Sequence, residues 1–247
     1  MQEELSRYGW LVGTEALEQL AISHVAVIGV GGVGGAAVKA LARAGVGKLT
    51  IIDHDIVERS NINRQVVASQ VSLGRLKVDV LKEQVSDINP AISVKTLPLF
   101  VTKENYEQIE WEKFDFVIDA VDNISTKLLI IEKCLELKIL VVSAMGAGNR
   151  LDPSKITICD IYATTNDPLA KVMRHELRKR NILHLPVAAS SEQPIKPYSN
   201  EVGTVGSSPF VPPAMGLLIA SYVTQTLTKV SEKHERFRNG RIRNEAT

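Results

Sequence analysis

The chain has 247 residues, 45% of them apolar, with 29 basic against 28 acidic side chains and a formal net charge of +1. That content supports a sizeable core and excludes a disordered, collagen-like or disulfide-stapled chain. The near-neutral balance excludes a uniformly basic nucleic-acid domain, so contact with a polyanion has to come from a local cluster. Two cysteines, and a polar start over residues 1–7 without an export signal, indicate a reducing, cytoplasmic setting.

The first strong signal is the apolar run 24–28, followed by Gly29-Val30-Gly31-Gly32-Val33-Gly34 and helical periodicity over 36–43. This spacing describes a phosphate cradle. Gly29 permits a tight strand-to-helix turn, Gly31 removes a side chain that would block a pyrophosphate, and Gly34 lets helix and strand pack closely. Phosphates then meet unpaired N–H groups at a helix N-terminus. Asp53 ends the next apolar run about 20 residues on, where an acid holds ribose hydroxyls. A packing turn without a ligand is the alternative.

The following residues indicate which nucleotide. Arg64 and Lys77 come after the second strand, interleaved with amides and carboxylates that a dehydrogenase does not need. Val78, Leu81, Val85 and Ile88 recur at helical spacing, so a helix starts near Gly74 and ends at Asn89-Pro90. A lysine in its first turn opposes the helix dipole by roughly a few tenths of a kcal/mol, which makes sense if an anion docks there. Lys77 and Arg64 then clamp a β,γ-pyrophosphate leaving group; solvated surface charge is the alternative. The run 114–118 leads into Asp119-Ala120-Val121-Asp122-Asn123, two carboxylates at the carboxyl end of a buried strand. Asp122, in the loop, is the candidate for Mg²⁺. Asp122 or Asn123 can instead cap the helix that follows.

Together with 24–30, the runs 48–53, 92–100, 114–121, 139–145 and 155–162 read as strands alternating with helical segments. The alternation predicts a Rossmann-like α/β fold, an open, mostly parallel sheet with helices on both faces. Residues 163–211, rich in Thr, Ser, Asn, Gly and Pro around one helix, form an irregular segment that covers the substrate. In that helix, 167–181, Leu169, Val172, Met173 and Leu177 make one face. Lys171, Arg174 and Arg178 make another, with Lys179 and Arg180 adjacent, and it is either an RNA-binding face or a solvated one. The apolar stretch 215–223 is too short to span a bilayer and predicts a core or dimer-interface helix. After Val230, Lys233, Arg236, Arg238, Arg241 and Arg243 make a flexible basic arm or a disordered end.

In chain order, Gly-x-Gly-Gly-x-Gly, Asp53-x-Asp55-x-Val57, Asn61-x-x-Arg64-Gln65, Gly74-x-x-Lys77 and Asp119-x-x-Asp122-Asn123 resemble the ubiquitin-activating-enzyme-like adenylyltransferases, the ThiF/MoeB/HesA superfamily. The resemblance spans residues 7–150 and implies ATP and Mg²⁺ as cofactors. It implies Gly29, Gly31, Gly32 and Gly34 at the phosphates and Asp53 at the ribose. Asp55, Asn61, Arg64, Gln65, Lys77 and Asn123 would line the ATP, and Asp122 would bind Mg²⁺. A homodimer is also implied, in which Arg7 reaches the partner protomer's ATP.

Relatives that adenylate sulfur carriers hold zinc with Cys-x-x-Cys pairs, which this chain lacks. Cys134, in the helical run 128–137, and Cys159, in the strand-like run 156–161, show no electropositive setting for a thioester nucleophile. The stretches 190–197 (Ser-Ser-Glu-Gln-Pro-Ile-Lys-Pro) and 203–213 (Gly-Thr-Val-Gly-Ser-Ser-Pro-Phe-Val-Pro-Pro) resemble the tRNA threonylcarbamoyladenosine dehydratases, zinc-free relatives. This implies one adenylation domain over 1–230, with 7–150 binding ATP and 151–230 supplying a substrate loop and a C-terminal helix. Residues 231–247 would be a basic tail. The implied reaction is an ATP-dependent cyclising dehydration of the modified adenosine beside the anticodon, through an acyl-adenylate. Implied partners are tRNA and the proteins of a sulfur-transfer or cysteine-desulfurase system. Adenylation of a small carrier's C-terminal glycine, a non-catalytic nucleotide-dependent binding module and an NAD-dependent oxidoreductase are the alternatives.

Overall fold

Strands of a parallel sheet are buried on both faces and therefore appear in sequence as unbroken apolar runs. The computed structural model, which describes residues 3–198 and 205–230, has a strand in each of the predicted runs. Helices Ser6–Val12 (α1) and Thr14–Ile22 (α2) lead into strand His24–Ile28 (β1). Then come Gly32–Ala44 (α3), Lys48–Ile52 (β2), Lys77–Ile88 (α4), Ser93–Leu97 (β3), Phe116–Asp119 (β4), Ile124–Glu136 (α5) and Leu140–Ala144 (β5). Ile156–Asp160 (β6), Pro168–Lys179 (α6), Pro186–Ser190 (β7) and Val211–Thr228 (α7) follow. Gly203, Thr204 and the basic tail after Val230 lie outside the described residues.

These strands form one seven-stranded sheet in the order β3-β2-β1-β4-β5-β7-β6. Neighbours are parallel except β6, which runs antiparallel to β7 with Ile156 opposite Ser190. The order reverses at β1, where Val25 faces Leu49 on one side and Phe116 on the other. Loops leaving the carboxyl ends diverge at such a point and open a crevice. The runs 92–100 and 114–121 outlast their strands because Leu99, Phe100, Ala120 and Val121 line that crevice. Strand β7 falls inside the segment expected to be irregular. Its sequence, Pro186-Val187-Ala188-Ala189-Ser190, has little β-propensity. It forms because β5 and β6 pair with it on either side and bury it.

Alternate residues of β1 serve two cores. Val25 and Val27 pack with the layer of α3, α4 and α7, whereas Ala26 and Ile28 pack with that of α5 and α6. In α7, Val211, Met215, Ile219 and Val223 recur one turn apart and are buried. Gly216 brings α7 close to α3, since a Cβ there would lie 2.2 Å from the Val33 carbonyl oxygen. On α6 the buried stripe is Ala170, Met173 and Leu177, and Val172, expected beside them, is exposed. No helix among the described residues is long and apolar enough to cross a membrane.

A very tight contact lies at the start of α3, where a Cβ on Gly34 would lie 1.9 Å from the Gly29 carbonyl oxygen. A helical Gly→Ala change ordinarily gains about 1 kcal/mol, but a backbone collision of this depth outweighs it. Gly34→Ala is expected to lower stability by about 3 kcal/mol, read as a lower urea midpoint. An unchanged or raised midpoint would show that α3 can move away from β1.

Candidate active site in the switch-point crevice

The crevice is a cleft of about 590 Å³ lined by the loops that follow β1, β2, β3, β4 and β5. Its floor is the glycine turn. Gly29 adopts φ +85°, and a Cβ there would lie 2.7 Å from the Ala120 carbonyl oxygen, so the β1 and β4 loops meet backbone to backbone. Gly31 by contrast has only the Gln65 amide near its Cβ position, at 3.7 Å, and opens onto the cleft. The turn is held by Asp53, which is buried. One of its carboxylate oxygens accepts the Val30 N–H at 2.7 Å and the other the Asp55 N–H at 2.8 Å. The second lone pair on each oxygen is left for a further donor.

Lys77 stands at the first position of α4 and is almost wholly buried. A short antiparallel bridge between Ile56 and Leu76 brings it beside Asp55, whose carboxylate accepts from its Nζ at 2.6 Å. That carboxylate is half exposed and also meets His54 at 3.2 Å. Arg64 lies in the same wall and donates through Nη1 to the Ser60 carbonyl and the Asn63 amide oxygen, 3.0 Å each. Its other guanidinium donors have no partner among the described residues. Asn61 and Gln65 are buried beside it; Asn61 Oδ1 accepts from the Glu58 N–H, and Gln65 Oε1 is buried without a partner.

Across the cleft, Asn123 caps α5 by accepting the Thr126 N–H, which leaves Asp122 exposed in the wall with no bond to the described residues. Asp119 instead turns into the core. Its Oδ2 accepts from Lys127 Nζ at 3.0 Å, both side chains are fully buried, and Lys127 also donates to Ser143 Oγ and the Ala144 carbonyl. Asp53, His54 and Asp55 bring ligand atoms within 4.8 Å of one another. Two of these groups are already committed, Asp53 to backbone N–H groups and Asp55 to Lys77.

Of the predicted residues, Gly29, Gly31, Gly32, Asp53, Asp55, Asn61, Arg64, Gln65, Lys77, Asp122 and Asn123 line this one cleft. Gly34 lies behind it as a packing glycine. Arg7 does not line it. It is exposed on α1, and Leu5 just before it packs against Gly45, at the opposite ends of the strands. The basic face of α6 is partly neutralised. Arg174 donates to the Thr164 carbonyl and hydroxyl, and Lys179 and Arg180 both pair with Glu176, holding its carboxyl down to about 2. Arg180 also meets Glu132 at 2.8 Å. Arg178 stacks over the Tyr162 ring at 5.0 Å, and Lys171 is exposed. Cys134 is buried, and burial pushes its thiol up to about 12. Residues 144–148 line the cleft as well and were missed in sequence; Gly146 and Gly148 directly after a strand were the available signal.

A family model described as the ThiF family matches residues 6–245. The chain belongs to the ThiF family. Within it, the tRNA threonylcarbamoyladenosine dehydratase of Bacillus subtilis (strain 168) is 41% identical over 244 residues, 93% of this chain and 96% of the relative. Crystal structures of Escherichia coli tRNA N6-threonylcarbamoyladenosine dehydratase superpose with TM-scores of 0.86 for the AMP complex and 0.85 for the ATP complex. They are 33% and 32% identical and cover 95% of this chain and 96% of theirs. An adenylyltransferase and sulfurtransferase of Saccharomyces cerevisiae (strain YJM789) is 35% identical over 152 residues, 59% of this chain but 34% of the relative.

The open space over Gly31 separates binding from folding. Gly31→Ala is expected to leave the unfolding midpoint unchanged and to weaken ATP, titrated calorimetrically as the probe, by about tenfold or more. Undiminished affinity would show that phosphates do not pass over Gly31.

Proposed function

We propose that this chain is an ATP-dependent tRNA threonylcarbamoyladenosine dehydratase that works as a cytoplasmic homodimer. The convergence of a glycine turn, Lys77, Arg64 and Asp122 in one cleft, with no nucleophile among them, carries this reading. Correspondence with the dehydratases over nearly both full lengths supplies the substrate.

The N–H groups of the glycine turn and the N-terminus of α3 bind the phosphates. Asp53 holds the ribose with the lone pairs left over from Val30 and Asp55. Asp122, exposed and unpaired among the described residues, fits a hard cation such as Mg²⁺. Bound Mg²⁺ would neutralise phosphate charge there. An oxygen of the threonyl carboxylate attacks the α-phosphorus, and the bond to pyrophosphate breaks. Lys77 and Arg64 stabilise the charge on the departing pyrophosphate, with Arg7 of a second copy as the trans contribution. A group within the same modified side chain then attacks the activated carboxyl carbon and releases its proton to solvent, AMP leaves with the carboxylate oxygen, and the ring closes. The nucleoside loses one water and no enzyme thiol is needed. Lys171 and Arg178 are the α6 cations best placed for RNA, since Arg174, Lys179 and Arg180 hydrogen-bond within the chain whereas Arg178 only stacks over Tyr162. Proteins of a sulfur-transfer or cysteine-desulfurase system remain proposed partners.

Incubation of threonylcarbamoyladenosine-containing tRNA with the chain, ATP and Mg²⁺ is expected to shift the modified nucleoside by the mass of one water, only when ATP is present. No shift, alongside pyrophosphate exchange stimulated by a small carrier protein, would favour carrier activation instead. Lys77→Ala and Asp122→Ala should fold normally, judged by circular dichroism. For Lys77→Ala, turnover should fall by about 100-fold, well beyond any loss of ATP affinity, because leaving-group charge develops in the transition state. Equal losses in the two measurements would contradict that role.

A further inference from the structure

A cluster beyond β5 has no part in the mechanism above. Arg150 and Asp167 are an ion pair at 3.5 Å whose side chains are 1% and 0% exposed. Such pairs are a poor source of stability, because desolvation offsets most of the attraction and apolar residues of similar volume often serve as well. The contacts of this pair suggest another use. One carboxylate oxygen of Asp167 caps α6 by accepting the Ala170 N–H at 3.0 Å, and the other accepts the Gly146 N–H at 2.9 Å in the cleft wall. Arg150 donates to the Ser190 carbonyl at 2.9 Å and to that of Glu192, where the chain leaves β7, and to the Asn166 carbonyl at 3.0 Å.

Its neighbour Asn149 extends the set. At φ +58° it accepts the Gly206 N–H on its side chain, donates its own N–H to the Gly206 carbonyl, and accepts the Ile195 N–H on its backbone. Val205 and Ser207, on either side of Gly206, line the cleft. A few adjacent residues thus tie together the cleft wall at Gly146, the first turn of α6 and both ends of the segment between β7 and α7.

We propose that Arg150 and Asp167 are positioning residues that set the register between the adenylating cleft and α6, so that the carboxylate of an RNA docked on α6 meets the α-phosphate. This inference rests on the dehydratase reading.

Asp167→Asn separates the pair's roles. Asparagine caps a helix as well as aspartate does, so α6 is kept. With its one oxygen on Ala170, however, its amide nitrogen faces the Gly146 N–H, donor against donor, and Arg150 loses its counter-charge. The expected result is a fall in kcat with modified tRNA of about 10- to 100-fold, with the KM for tRNA and the affinity for ATP little changed.

Because that variant leaves a buried cation unpaired, Asp167→Asn combined with Arg150→Met supplies the control. Removing both charges takes away the unpaired cation but also the donors to the Ser190, Glu192 and Asn166 carbonyls, so Tm should recover in part while kcat stays low. Recovery of kcat together with Tm would overturn the proposal in favour of a purely structural pair. So would wild-type kcat in Asp167→Asn, or a loss confined to the KM for tRNA, or ATP affinity falling in parallel with kcat. A wild-type chain that binds ATP but leaves the modified tRNA unchanged would instead overturn the dehydratase reading on which the proposal rests.

Discussion

Two loops meet backbone to backbone at the point where the sheet order reverses, and the cleft exists because of that contact. Gly29, at φ +85°, and the Ala120 carbonyl approach so closely that any side chain on Gly29 would collide. Gly34 repeats the constraint one helical turn later, against the Gly29 carbonyl itself. These contacts press the N-terminus of α3 onto the carboxyl edge of β1 and aim its unpaired N–H groups into the crevice. The Asp53 bond to the Val30 N–H then fixes the turn from the β2 side. Every other feature of the site is arranged around this floor.

Three cation–carboxylate pairs surround the cleft, and their burial separates what they can do. Lys127 and Asp119 are sealed on both sides, with Ser143 and the Ala144 carbonyl taking further bonds. Exchanging either partner would strand a charge in a dry interior at a cost of about 3–5 kcal/mol, so this pair is a fixed joint between β4, β5 and α5. Lys77 is nearly as deeply buried, but its partner Asp55 is half exposed. If Lys77 turned to an anion in the cleft, as proposed, water would take over the solvation of Asp55, so the pair is not locked as Lys127–Asp119 is. Arg150 and Asp167 are sealed like the first pair but bridge three chain segments rather than adjacent strands.

Much of this was legible in the sequence, for an identifiable reason. Buried parallel strands must be apolar throughout, and a turn with positive φ or a colliding Cβ must be glycine, so 24–30, 48–53 and the glycine turn left clear marks. Strand β7 left none because its small residues have no strand preference of their own, and its place is set by β5 and β6 alone. The charge on α6 is partly neutralised within the chain, which the sequence does not reveal. The spacing of Lys171, Arg174 and Arg178 defines a face, but Arg174 turns to Thr164, while Glu176 within the same helix takes Lys179 and Arg180. Arg150 gave no sign at all, since a lone arginine after a strand looks the same whether it ends in solvent or beneath a loop.

The distribution of charge bears on why the proposed reaction would need no covalent intermediate with the protein. In the proposed reaction, adenylation would leave the substrate carboxyl with a good leaving group and ring closure would supply its own nucleophile, so the remaining requirement would be alignment. A reactive thiol would need an electropositive, accessible setting. Cys134 has the reverse, a buried site that raises its thiol to about 12. Among the described residues, the buried charges Lys127, Asp119, Arg150 and Asp167 all bind backbone groups, as Asp53 does in the glycine turn. An enzyme whose chemistry is carried by ATP and by its own substrate has little use for buried nucleophiles and much use for buried charges that keep loops in register.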